Sequence, residues 1–124
     1  MSRIPARNWW TKTSLELTKG KHYRFTATGS WKDAKYTCSA TGYSEAKLDR
    51  WSWLKRDPNA LWFSLIGQID QKRWTQFDIG HLLENNLTYT AVESGTLYCF
   101  ANDVWFMYFN NSGSVELSVT EVEH

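Results

Sequence analysis

The sequence predicts an all-β domain, an antiparallel β-sandwich or jelly roll, on three observations. Short segments alternate apolar and polar residues with the period of a half-buried strand. Gly, Asn, Asp and Ser punctuate them, and no long amphipathic helix interrupts the series. A chain of 124 residues is one domain's worth and long enough to bury a core without disulfides, so residues 1–124 are read as a single domain.

Taken in order, the chain through Arg7 reads as a lead-in. Leu15 and Leu17 alternate with Ser14, Glu16 and Thr18, and Tyr23, Phe25 and Ala27 alternate with Arg24, Thr26 and Thr28. Joined by Lys19-Gly20-Lys21, these two strands predict a hairpin. Residues 32–59 lack periodicity apart from a short helix predicted around Ser44 to Leu54, and a loop that long in a compact domain is more often functional than filler. Leu61 to Ile69 is a dense apolar run suited to a central strand, turned by Asp70-Gln71-Lys72-Arg73 and answered by a return at Trp74 to Phe77. Glu84-Asn85-Asn86 is a polar patch. Leu87, Tyr89 and Ala91 then alternate, Ser94-Gly95 turns, and Thr96 to Phe100 forms another strand. Val115, Leu117 and Val119 mark the last.

Composition narrows the function. The net charge is +1, which gives no electrostatic case for nucleic acid or an anionic membrane. No segment approaches the roughly 20 apolar residues of a membrane span. No apolar run of secretory type follows Met1 to Arg7, so the chain is expected to be cytoplasmic as synthesised, with any export by a non-classical route. Eight Trp exceed what so small a core accommodates, and some are expected at a contact surface. Cys38 and Cys99 are expected as free thiols, Cys99 buried in a strand and inert, Cys38 in a loop and more reactive. His22, His81 and His124 stand apart, without nucleophile, zinc or phosphate motifs, so no enzyme is predicted. Glu84 with Glu93, or Asp70 with Asp78, offer carboxylate pairs that sequence alone does not bring together. Lys55-Arg56 and Gln71-Lys72-Arg73 read as solvated turns.

The most informative stretch runs from Ala101 to Ser114. Asp103, Asn110 and Asn111 lie between two strands, seven and eight residues apart, separated by the aromatic run Trp105-Phe106-Met107-Tyr108-Phe109. One carboxylate and two amides suit a hard cation such as calcium, which takes about 6–8 oxygen ligands including backbone carbonyls and hydroxyls. The same residues also suit turns joining meandering strands, and on spacing alone the turn reading is the simpler one.

Asn102-Asp103-Val104 followed by Asn110-Asn111-Ser112-Gly113-Ser114 resembles the calcium and sugar loop of the PA-I-like galactophilic lectins, small bacterial β-sandwich proteins. Gly29-Ser30-Trp31-Lys32-Asp33, Ser64 to Ile69 leading to Phe77-Asp78-Ile79-Gly80, and Ser94 to Tyr98 match the same family in order, over about residues 12–122. The resemblance implies a galactose-binding-domain-like fold and a non-catalytic, calcium-dependent lectin. It places Asp103, Asn110 and Asn111 as side-chain ligands of Ca2+, with Asp33 and Met107 giving backbone carbonyls. Asp103, Val104, Trp105, Met107 and Asn110 are the implied sugar contacts, joined by Trp51 and Trp53 of the long loop. The implied partner is a galactose-like glycan, and Trp105, Phe106 and Phe109 of the aromatic run are expected to be partly exposed or to bury themselves between subunits of a homo-oligomer. Residues 44–59 show no counterpart to the family's His and Gln sugar contacts. The rival reading is a protein-interaction or membrane-surface adhesion module that uses the Trp-rich loops without a sugar site.

Overall fold

The computed structural model describes residues 1–33, 36–44, 54–103 and 108–123, with the backbone alone for residue 109. Two antiparallel sheets pack face to face, as expected of a β-sandwich. The first combines β1 (Ser2–Pro5), β9 (Asn111–Val122), β3 (His22–Asp33) and β4 (Tyr36–Cys38) in that order, with β7 (Tyr89–Thr90) also paired to β3. The second runs β2 (Thr11–Leu17), β8 (Gly95–Ala101), β5 (Leu65–Ile69), β6 (Phe77–Asp78).

The alternation seen in the sequence is the burial pattern of the strands. Leu15 and Leu17 of β2, Tyr23 and Phe25 of β3, Leu97 and Cys99 of β8, and Val115 and Leu117 of β9 meet between the sheets. Strand β5 is buried at every position. Leu65 and Ile69 face the main core, while Ile66 packs on the outer face of its sheet with Phe100, Ala60 and Trp10. Burial on both faces is why this segment reads as a continuous apolar run.

Four expectations are corrected here. Residues 2–5 are not a lead-in: β1 pairs along β9 from Ser2 opposite Leu117 to Pro5 opposite Ser114, and Ile4 and Ala6 are fully buried. One Ile and one Ala are too few to display a period. Strands β2 and β3 form no hairpin, because they belong to different sheets and Thr18 to Lys21 carries the chain across the sandwich. Tyr23 Oη accepts from Thr18 N at 2.8 Å and braces that crossing. The expected strand at 61–69 begins only at Leu65, and Phe63 has a left-handed φ of 59°. Finally, a seven-residue helix, α1 (Ile79–Asn85), follows β6. Asp78 caps it by accepting from His81 N at 3.0 Å, and Asn86 ends it in the left-handed region. Two turns are too short to show a helical period, and Asn86 in the polar patch was its stop signal. Gly80 lets this helix sit on the core: a Cβ there would come within 2.7 Å of the Ala40 carbonyl. The helix expected around Ser44 to Leu54 falls, apart from its ends, outside the described residues.

Cys38 and Cys99 are unbridged. Cys99 is buried in β8 as expected, and burial raises its pKa. Cys38 lies in strand β4 rather than in the expected loop, and burial pushes its thiol up to about 11.

Candidate functional site

The candidate site lies where the end of β3, the chain leaving β8 and the start of β9 converge. Register does the positioning: β3 and β9 pair without interruption from His22–Val122 to Asp33–Asn111, so Asp33 sits directly opposite Asn111. Within this ladder Gly113 has a φ of 79°, which favours glycine, and its Cβ would meet the Trp31 backbone at 3.0 Å. Asn110 closes the 3-10 turn Tyr108–Asn110 immediately before β9.

Asp103 is placed by its neighbour Asn102, a residue whose role the sequence reading missed. Asn102 is fully buried and clamps the loop in front of β5. Its Oδ1 accepts from Asp57 N at 2.9 Å, and its Nδ2 donates to the carbonyls of Asp57 (2.9 Å), Leu61 (3.0 Å) and Ala60 (3.3 Å). Its backbone N donates to Ser64 O and its carbonyl accepts from Phe63 N. The next residue, Asp103, is itself buried, and its carbonyl accepts from Arg56 N at 3.1 Å. Tyr108 Oη donates to Ala101 O, which ties the far end of the aromatic run back to β8.

Tyr43 feels both carboxylates. Its hydroxyl donates to Asp33 Oδ2 at 2.8 Å, and its pKa is raised first by burial, then by the Asp33 bond and charge, then by the charge of Asp103. Burial also raises Asp33 above its ordinary value, with the Tyr43 hydrogen bond partly offsetting this. Two buried amide oxygens lie alongside. Asn111 Nδ2 donates to Ala6 O at 3.1 Å, which fixes the amide and turns Oδ1 away from that carbonyl. Asn111 Oδ1 and Asn110 Oδ1 are buried and accept no hydrogen bond from any described residue. Leaving a buried oxygen unsatisfied costs about 1–3 kcal/mol, so a pair of them beside two carboxylates fits an electrophile, and a hard cation is the simplest. Among the described residues no three His, Cys, Asp or Glu side chains gather, so such a cation would rely on amide and backbone oxygens.

Four of the predicted site residues, Asp33, Asp103, Asn110 and Asn111, are thus brought to one end of the sandwich. Val104, Trp105, Met107, Trp51 and Trp53 lie outside the described residues, as do the side chains of Phe106 and Phe109. The glycosidase-like pairing finds no support in two of its members. Asp78 accepts from Ser64 Oγ and caps α1, and Asp70 accepts from Thr96 N at 2.9 Å. The expected solvated turn at Lys55-Arg56 is corrected: Lys55 is buried and donates to Ala60 O at 2.6 Å, and Arg56 is half-buried among aromatic rings. Nothing in a Lys-Arg pair announces burial, because the rings that cover Arg56 come from distant segments.

No family model and no curated relative matches the sequence. Among solved structures the chain is similar to one described as the EclA N-terminal domain, a PllA-like lectin. The TM-score is 0.66 at 16% identity, over 97% of this chain and 93% of that one. At that identity the likeness establishes architecture alone: the chain shares the two-sheet β-sandwich of that protein.

Proposed function

We propose that this chain is a non-catalytic, calcium-dependent carbohydrate-binding protein. The observation that carries the reading is the pair of buried amide oxygens of Asn110 and Asn111, without a donor among the described residues, at one end of the sandwich with Asp33 and Asp103. Asp103, Asn110 and Asn111 would hold the ion by side-chain oxygens, and Asp33 and Met107 by their carbonyls. The bound ion would supply open coordination positions that favour neighbouring sugar hydroxyls of one relative geometry, which selects stereochemistry in a ligand that is otherwise well solvated. Asp103 and Asn110 would add hydrogen bonds to those hydroxyls. The lectin-like fold supports sugar as the ligand class, and a galactose-like residue is the member proposed.

A glycan array probed with and without calcium tests this. Binding to terminal galactose-type glycans that disappears in chelator is the expected result. Adhesion to surfaces or proteins that ignores both chelator and sugar would replace this reading with the aromatic adhesion module.

A further inference from the structure

The outer face of the four-stranded sheet carries a cleft lined by none of Asp33, Asp103, Asn110 and Asn111. Residues 54–60 fold over Ile66 and Phe100, and between this loop, Trp9-Trp10 and the turn at Arg73 opens a cleft of about 510 Å3. That volume is in the range of small-ligand sites, roughly 300–1,000 Å3. Its lining is aromatic, amide and cationic: Trp9 and Trp10, Gln68, Gln71 and Gln76, Arg56 and Arg73. No carboxylate lines it among the described residues.

Arg56 is the centre of the arrangement. Its guanidinium carbon lies 3.4 Å from the Phe100 ring centroid, 3.6 Å from that of Trp9 and 4.6 Å from that of Trp10. Nη1 donates to Trp9 O and to Tyr108 Oη at 3.2 Å, so the planar group is fixed in position. Nη2 and Nε have no acceptor among the described residues. Burial chiefly disfavours this cation, the Tyr108 hydroxyl offsets part of that, and the charge of Arg73, which lines the same cleft, adds to it. Arg73 is exposed and makes no ion pair with a described residue. Arg56 and Arg73 line one cleft with no carboxylate among its described residues, which favours an anion there, and planar guanidinium pairs best with a carboxylate or an oxyanion of similar geometry. Trp9, 43% exposed with Arg56 over one face, adds apolar ring surface, and Gln71 and Gln76 offer amides suited to hydroxyls. Aromatic surface, amides and paired guanidinium groups together match one ligand class.

We infer that this cleft binds an acidic saccharide, a sugar residue bearing a carboxylate, independently of the calcium site. The test is titration of the whole protein with a galacturonate trimer in excess chelator, at low salt. The expected result is binding that Arg73→Ala weakens by about tenfold or more, the value of losing one charge-assisted contact. That variant should leave the melting temperature unchanged, because Arg73 is exposed. Arg56→Lys, which keeps the charge but not the fork, should weaken the trimer as well. A neutral galactotriose should not bind under chelation. Failure of the trimer to bind in chelator, or binding indifferent to both substitutions, overturns the inference. So does inorganic phosphate or sulfate displacing the trimer at equal concentration, which would reduce the cleft to a bare anion site. None of these outcomes depends on the calcium reading, which is scored by neutral sugar in the presence of calcium.

Discussion

Replacing Asn102 separates a clamp from an ordinary turn residue. Its amide serves one N–H and three carbonyls of residues 57–61, and the side chain is fully buried. Asn102→Ala strands the Asp57 N–H and removes one donor from each carbonyl, which keep Ala60 N at Asp57 O, Lys55 Nζ at Ala60 O and Ser64 N at Leu61 O. Leu61 is exposed and recovers water, whereas Ala60 is buried and Asp57 half-buried. At about 1–3 kcal/mol for the one N–H left unsatisfied, and about 0.5–1.5 kcal/mol for an ordinary hydrogen bond at carbonyls that keep a second donor, the loss is about 2–4 kcal/mol. Asn102→Asp is the sharper probe. It keeps the acceptor for Asp57 N but turns an oxygen toward three carbonyls, so at neutral pH it should cost at least about 1 kcal/mol more than alanine. The new carboxyl would have a raised folded-state pKa, and a group so shifted favours the folded state at low pH and loses that contribution as pH rises. The deficit of Asn102→Asp relative to wild type should therefore shrink toward acid pH, while that of Asn102→Ala should not. Urea denaturation at pH 7 and pH 5, read as midpoint shifts at constant m-value, measures both. Asn102→Asp within about 0.5 kcal/mol of wild type, the ordinary range for surface changes, would refute the clamp.

Three further outcomes follow from the same geometry. Asp103→Asn should weaken calcium by about tenfold or more, because it removes charge from the side-chain ligand set, while Asn110→Asp should weaken it less or strengthen it; calorimetry orders the variants, and equal affinities would contradict the ligand assignment. Asp33→Asn in chelator should raise the melting temperature at pH 7 and lose that advantage as pH falls, since burial raises the Asp33 pKa and its charged form penalises the folded state above that value; a pH series of melting curves checks the sign, and destabilisation at pH 7 would count against it. Both cysteines should resist iodoacetamide at pH 8 in the folded protein, Cys38 reacting first and Cys99 only on unfolding, because burial raises both thiols; mass analysis of timed samples that found Cys99 modified first would contradict the burial order.

The sequence carried the sandwich wherever a strand has one wet face. Leu15-Leu17, Tyr23-Phe25-Ala27, Leu97-Cys99 and Val115-Leu117 announce themselves by period two, and all four segments are strands. Strand partnership was not legible: Lys19-Gly20-Lys21 looks like a hairpin turn, yet β2 pairs with β8 and β3 with β9, choices set by burial across the sandwich rather than by the turn. Short elements escaped because β1 and α1 have too few residues to display a period. At the site, Asp103, Asn110 and Asn111 stood out by residue type and by resemblance, and their convergence with Asp33 needed the β3–β9 register. Asn102 and Arg56 were invisible for a common reason. Each acts through partners scattered in sequence, four backbone groups for one and rings from residues 9, 10, 100 and 108 for the other.

The central proposal is that Asp103, Asn110 and Asn111 hold calcium. Calorimetric titration of chelator-stripped protein with calcium, paired with melting curves at zero and millimolar ion, tests it most directly. The account predicts one-to-one heats and a melting temperature that climbs with calcium by mass action, both abolished or strongly reduced in Asp103→Asn. Flat heats and superimposable melting curves would contradict it, and would return Asn102-Asp103 and Asn110-Asn111 to the status of turns.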